Sequence, residues 1–115
     1  MDHAVSAGKA DSARRVVITG IGLVSPLGVG TQKTWEALLR GEGGIGPITR
    51  FDASRHSSRI AGQVPGFDPL VFIDRKEVRK MDLFIQFALA AAALAVEHSG
   101  IDPALLEGDR TGVYL

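Results

Sequence analysis

Between Leu83 and Val96 every residue is apolar except Gln86. These 14 residues fall short of the roughly eighteen expected of a membrane-spanning helix. The run is rich in alanine, the strongest helix former, so it predicts a helix that is apolar almost all round. Such a helix belongs at the centre of a layered protein, with other elements covering every side. The chain is 115 residues long, enough for at most one domain. Its remaining elements must therefore be read for what cover they offer.

Val16–Thr19 is apolar or β-branched and bounded by glycine, which suits a strand buried on both faces. Gly20 to Gly30 is a connection punctuated by glycine and proline. Thr31 is placed to cap a helix, with Thr34 in its first turn. Trp35, Leu38 and Leu39 give that helix one apolar face, Arg40 lies in its last turn, and Gly41 ends it. Gly41 to Pro47 reads as loop, and Arg50 to Arg59 as polar and irregular. Ile60–Val64 suits a short strand stopped by Pro65 and Gly66. Asp68 and Pro69 begin a turn or short helix, with Leu70, Val71 and Phe72 packing inward. A charged stretch from Asp74 runs into the long helix, which ends near Ser99 and Gly100. Ile101, Asp102 and Pro103 start a short turn, and Thr111 to Leu115 begins another apolar strand. Strands alternating with helices predict α/β layering around a sheet. Trp35, Phe84 and Phe87 are expected to fill core.

Thirteen basic and thirteen acidic residues cancel, so no global field draws nucleic acid or an anionic membrane. There is no cysteine, which removes disulfides, thiolate metal sites and a cysteine nucleophile. Residues 1–14 are small and polar with no apolar h-region, which argues against a secretory signal. The first 13 residues are read as a disordered tail, and His3 within it is assigned no role. Gly20 and Gly22 follow the first strand as the start of a dinucleotide-binding fingerprint would, but Ser25 stands where the third glycine is needed. Pro26 then biases Ser25 away from the helical region, so the helix that should aim at a pyrophosphate does not open there. Gly43, Gly44 and Gly46 lack the Lys-Ser/Thr ending of a phosphate loop and read as a turn. No His/Asp/Glu grouping has metal spacing, and no cofactor is indicated.

Read whole, residues 16–28, V-x-I-T-G-I-G-x-V-S-P-L-G, resemble the opening of the beta-ketoacyl-[acyl-carrier-protein] synthases, the condensing enzymes of fatty-acid synthesis. The resemblance continues through Thr34 to Leu39, Gly41-x-x-Gly44-Ile45, Arg50 to Ser54 and Ala61-Gly62-x-Val64. It culminates in Asp74 to Asp82 and then Phe84, Ile85 and Gln86. It covers roughly residues 14–115 and is closest to the type II branch. The resemblance implies that residues 14–115 are the N-terminal portion of a thiolase-like fold of five alternating helix and sheet layers, here incomplete. It further implies a cytoplasmic acyltransferase that acts as a homodimer when complete, takes its substrates from acyl carrier protein and needs neither nucleic acid nor membrane. Two physical features point the same way: the long helix has thin cover, and the apolar Val113, Tyr114 and Leu115 would leave an unpaired strand edge.

The family reaction uses a cysteine and two histidines, and no position matching them lies in this chain. His56 sits in a polar loop matching no family motif. His98, in the last turn of the long helix, is read as structural. The sequence therefore offers no catalytic residue, and the chain alone is predicted not to condense acyl groups. A basic cluster stands apart from this: Arg75, Lys76, Arg79 and Lys80, opposed within the run only by Glu77. If helical, Lys76, Arg79 and Lys80 share one face, a patch suited to an acidic partner. The resemblance implies that residues at these positions dock the acidic recognition helix of acyl carrier protein. The bland alternative is a solvated face paired to Asp74, Glu77 and Asp82. Two other functional readings stay open: a non-catalytic partner subunit resembling a chain-length factor, and a small carrier-binding module.

Overall fold

The computed structural model describes residues 14–114. The tail expected over residues 1–13 lies outside them. The described elements are β1 (Val24–Ser25), β2 (Gly28–Val29), α1 (Thr31–Leu39), β3 (Ile45–Pro47), β4 (Ile60–Gly62), α2 (Arg75–Val78) and α3 (Leu83–Ser99), with 3-10 turns at Pro69–Val71 and Pro103–Leu105. Mixed helices and short strands form two separate antiparallel ladders, β1–β2 and β3–β4.

The long helix forms where the alanine-rich run predicts it. It stops at Gly100, whose φ of 65° is left-handed and whose N–H returns to the Glu97 carbonyl at 3.2 Å, a conformation that costs glycine least. α1 likewise starts at Thr31 and ends before Gly41. The Thr31 hydroxyl, however, does not cap the helix. It donates to the Ile21 carbonyl at 3.0 Å and ties α1 to the preceding segment. At Asp68 and Asp102 the carboxylates accept the N–H groups of Leu70 and Ala104, both at 2.9 Å, and each opens a 3-10 turn ahead of a proline.

Three strand readings need correction. Val16–Thr19 forms no ladder, and Val16 is 92% exposed. A strand buried on both faces needs neighbours on both edges, and the described residues supply none. Thr111–Tyr114 is unpaired for the same reason. Conversely, Ile45–Pro47 is not loop but the partner of β4, in the register Ile45↔Gly62, Gly46↔Ala61 and Pro47↔Ile60. Its glycine and proline disguise a strand that only a hairpin partner reveals. Pro26, in the β1–β2 turn, joins the two ladders: a side chain on Gly44 or Gly62 would come within 2.7 Å of its ring.

Small residues do most of the packing. Ala37, Ala53, Ile73 and Ala90 are the buried apolar residues, joined by Thr34 and Gln86. The segment through Gly20 and Gly22 lies directly on α3. A Cβ on Gly20 would overlap the Ala95 carbonyl oxygen, and one on Gly22 the Ala91 carbonyl oxygen. Between the two, the Ile21 N–H donates to His98 Nδ1 at 3.0 Å. Gly20 and Gly22, which began like a dinucleotide-binding fingerprint, thus serve the close approach of this segment to α3. Trp35 and Phe84, expected in the core, are 59% and 70% exposed. Leu38, Leu39, Leu70 and Val71 are exposed as well. The described residues cover α3 on one side and leave the apolar face of α1 open.

Candidate docking surface

Asp74 sits in extended conformation and leads into α2, which spans only Arg75–Val78. The expected single helical face for Lys76, Arg79 and Lys80 is therefore modified. Arg79 is the helix C-cap, with φ −70° and ψ −15°, and Lys80 follows in a turn. That turn is tightened by i to i+3 bonds, from the Lys80 N–H to the Glu77 carbonyl at 2.9 Å and from the Met81 N–H to the Val78 carbonyl at 3.3 Å. Bonding of this kind ends a helix and turns the chain toward the next element.

Arg75, Lys76, Arg79 and Lys80 are all exposed. Lys80 Nζ pairs with Glu77 Oε1 at 2.7 Å. Among the described residues Arg75, Lys76 and Arg79 make no ion pair. The Lys80 side chain is 66% exposed, so its pair with Glu77 is weakly held and screened by salt. The surface thus presents three uncompensated cations and a fourth that is partly neutralised. Asp74 and Asp82, which the bland reading would have paired with them, take no part.

Gln86, noted in the sequence as the break in an apolar run and the last residue of the Phe84-Ile85-Gln86 likeness, proves central. Its side chain is buried, and Nε2 donates to the Met81 carbonyl at 3.0 Å and the Val78 carbonyl at 3.3 Å. The signal was there: a lone amide in an apolar helix must find partners, and the turn just before it offers carbonyls within reach.

Elsewhere, an open cleft of about 530 Å³ runs between the β3–β4 hairpin and the start of α3. Phe51, Val64, Phe67, Leu83 and Phe87 line it, and Arg50 is its one charged wall residue. Phe67 meets Phe87 edge-on at 4.8 Å between ring centroids and stacks with Phe72 at 6.4 Å. His56 packs edge-on against Phe51 at 5.6 Å. Two carboxylates lie below their ordinary range. Glu42 is held there by its hydrogen bond to Arg40, whose own pKa is raised by the same bond, and Asp52 by the Ser54 N–H and hydroxyl. Both are surface features. No group of three metal-ligating side chains occurs among the described residues, and no described helix is long and apolar enough to cross a membrane.

Against known proteins, the family described as "Beta-ketoacyl synthase, N-terminal domain" matches residues 13–115. Among curated proteins, the 3-oxoacyl-[acyl-carrier-protein] synthase 2 of Coxiella burnetii is 50% identical over 102 residues, which cover 89% of this chain and 25% of that protein. The enzyme of the same name from Vibrio cholerae is 46% identical over 104 residues, covering 90% and 25%. That from Synechocystis is 43% identical over 102 residues, covering 89% and 24%. This chain thus spans about a quarter of the length of these relatives. Among solved structures, one titled "The ishigamide ketosynthase/chain length factor" superposes with a TM-score of 0.71 at 37% identity, over 79% of this chain and 23% of the other.

Proposed function

Because this chain belongs to the beta-ketoacyl synthase family through its N-terminal domain, we propose that it forms the opening portion of a 3-oxoacyl-[acyl-carrier-protein] synthase II. In that reading residues 14–115 are the first part of a five-layer, thiolase-like protein that works as a homodimer. The observation that carries it is the family match over residues 13–115 together with 50% identity over 102 of them.

The reaction is a decarboxylative Claisen condensation in fatty-acid elongation. A cysteine thiolate takes the acyl group from a carrier as a thioester, because a thiolate is a strong nucleophile. Malonyl-carrier then loses carbon dioxide, and the carbanion left behind attacks the thioester carbonyl. The carbon–sulfur bond breaks, the thiolate leaves, and the acyl chain is two carbons longer. Preorganised donors stabilise the enolate and the tetrahedral oxyanion. This chain has no cysteine, so the nucleophile comes from elsewhere. The part assigned to these residues is recognition. Lys76, Arg79 and Lys80, exposed around the end of α2, meet the acidic face of acyl carrier protein, and long-range attraction speeds the encounter.

Binding of acyl carrier protein to the unmodified protein and to the Lys76→Glu, Arg79→Glu, Lys80→Glu triple variant tests the recognition role. Three reversed charges are expected to weaken binding roughly tenfold or more at low salt, and unchanged binding would refute it. Incubation of the chain alone with acyl- and malonyl-carrier is expected to release no 3-oxoacyl product. Product formation would overturn the assignment of the nucleophile to other sequence. The superposition on a structure titled as a ketosynthase/chain length factor supports a second reading, a partner subunit that shapes product length without catalysing. Acyl transfer onto a cysteine of the assembled protein separates the two.

A further inference from the structure

After Val78 the chain leaves α2, carries Arg79 and Lys80 through a turn and enters α3 at Leu83. The start of that turn is held by the Lys80 N–H on the Glu77 carbonyl at 2.9 Å, but its exit toward α3 has less support. Asp82, the residue placed to cap α3, makes no side-chain cap bond. The Val78 carbonyl receives the Met81 N–H at 3.3 Å, a long bond. The Gln86 amide reaches back from the first turn of α3 and bonds both the Val78 and Met81 carbonyls. It is buried, and it is the one polar residue between Leu83 and Val96. A buried amide is tolerated only where its hydrogen bonds are made. The same bonds therefore keep Gln86 satisfied and fix the path of the chain through Arg79 and Lys80.

We infer that Gln86 is a positioning residue of the docking surface: its amide locks the turn from Val78 to Met81 so that Arg79 and Lys80 stand beside Lys76 in the arrangement an acidic carrier protein meets. The inference rests on the docking role proposed above. Gln86 does not touch the carrier and acts only through the turn. Cations on a turn free to refold present the binding arrangement for part of the time, and apparent affinity falls by that fraction.

Acyl carrier protein is titrated into the purified protein across a salt series, with four forms compared: unmodified, Gln86→Met, Gln86→Glu and the triple charge reversal. Methionine keeps the length and removes the donor. Glutamate keeps the shape and turns an acceptor toward two carbonyls. Gln86→Met is expected to bind about tenfold more weakly, and Gln86→Glu more weakly still. Both keep the salt dependence of the unmodified protein because the cations remain, whereas a charge reversal flattens it. Absent salt-dependent binding by the unmodified protein, or binding unchanged by the triple reversal, overturns the docking role and this inference with it. Loss of binding in the triple reversal alongside full affinity in both Gln86 variants overturns the positioning role alone. Where either variant does not fold, the unmodified protein decides by NMR. The Gln86 side-chain amide protons should exchange slowly, and the backbone amides of residues 79–81 should shift on carrier addition. Side-chain exchange at the rate of free solvent overturns the inference.

Discussion

Replacing Gly22 with alanine tests whether the close approach of the N-terminal segment to α3 organises this chain. The added methyl would overlap the Ala91 carbonyl oxygen and come within 2.6 Å of the Ala95 nitrogen and 2.9 Å of the Leu94 Cβ. Two of these atoms are helix backbone and cannot swing aside, so the segment itself must retreat by roughly 1.5 Å to restore van der Waals separation. Overpacking of this kind costs about 1–3 kcal/mol. Retreat also stretches the bond from the Ile21 N–H to His98 Nδ1, now 3.0 Å, which is worth about 1 kcal/mol. The expected loss is about 2–4 kcal/mol. Trp35 lines the same shallow groove as Ile21 and His98, so its fluorescence reports the change. Urea titration should show a lower midpoint with an unchanged slope. Gly43→Ala is the control, because its added methyl would meet no atom within 4 Å, and it should stay within about 0.5 kcal/mol of the parent. Gly20→Ala should resemble Gly22→Ala. The double variant should cost less than the two singles together, since a segment already displaced has room for the second methyl. A Gly22→Ala protein as stable as the Gly43→Ala control would refute the reasoning.

Ser25→Ala should cost about 1–3 kcal/mol by thermal or urea unfolding, because the buried Thr34 hydroxyl loses its 2.9 Å partner; a neutral effect would mean water replaces the bond. Glu77→Gln releases Lys80 from its ion pair and should raise the carrier association rate at low ionic strength, with the gain vanishing at high salt; stopped-flow mixing that finds no salt-sensitive gain would argue against Lys80 as part of the surface. Glu42 and Asp52 have folded-state pKa values below their unfolded ones. Their stabilisation is complete above the ordinary carboxylate range near about 4 and is lost as pH falls through the depressed values. Unfolding midpoints of Glu42→Gln and Asp52→Asn should therefore converge on the parent's in strong acid, and a gap that persists there would refute the assignment.

The elements most legible in the sequence were those with local causes. α3 followed from fourteen nearly unbroken apolar residues ahead of a glycine. Both 3-10 turns followed from an aspartate before a proline, and α1 from its apolar face and glycine stop, whereas the cap read at Thr31 is not made. What stayed hidden depends on distant partners. Ile45–Pro47 becomes a strand only opposite Ile60–Gly62, and periodicity is silent in a segment of glycine and proline. Val16–Thr19 has every local property of a strand and no ladder, since pairing belongs to the neighbour as much as to the segment. Of Trp35, Phe84 and Phe87, read as core, the first two lie exposed and Phe87 is half-buried, because an apolar side chain is buried only where something covers it. At the docking surface the cations were legible one by one. The Glu77 pairing was foreseen as one of three, with Asp74 and Asp82, and only it forms; the Gln86 clamp was not legible, as it depends on how tightly the chain turns between α2 and α3.

The bond between Ile21 and His98 joins positions 77 residues apart, and this separation orders events during synthesis. The segment through Gly20 and Gly22 emerges early, yet its resting place on Ala91 to Ala95 does not exist until the ribosome has completed α3. At about 5–20 residues per second this is a wait of roughly 4–15 seconds. Throughout it Val16, Val17 and Ile18, exposed even after docking, are open to strand pairing with other nascent chains. The interval is long beside local hairpin formation, which takes about 1–10 microseconds. The β1–β2 and β3–β4 hairpins therefore have time to close before the Gly20–Gly22 segment can reach α3.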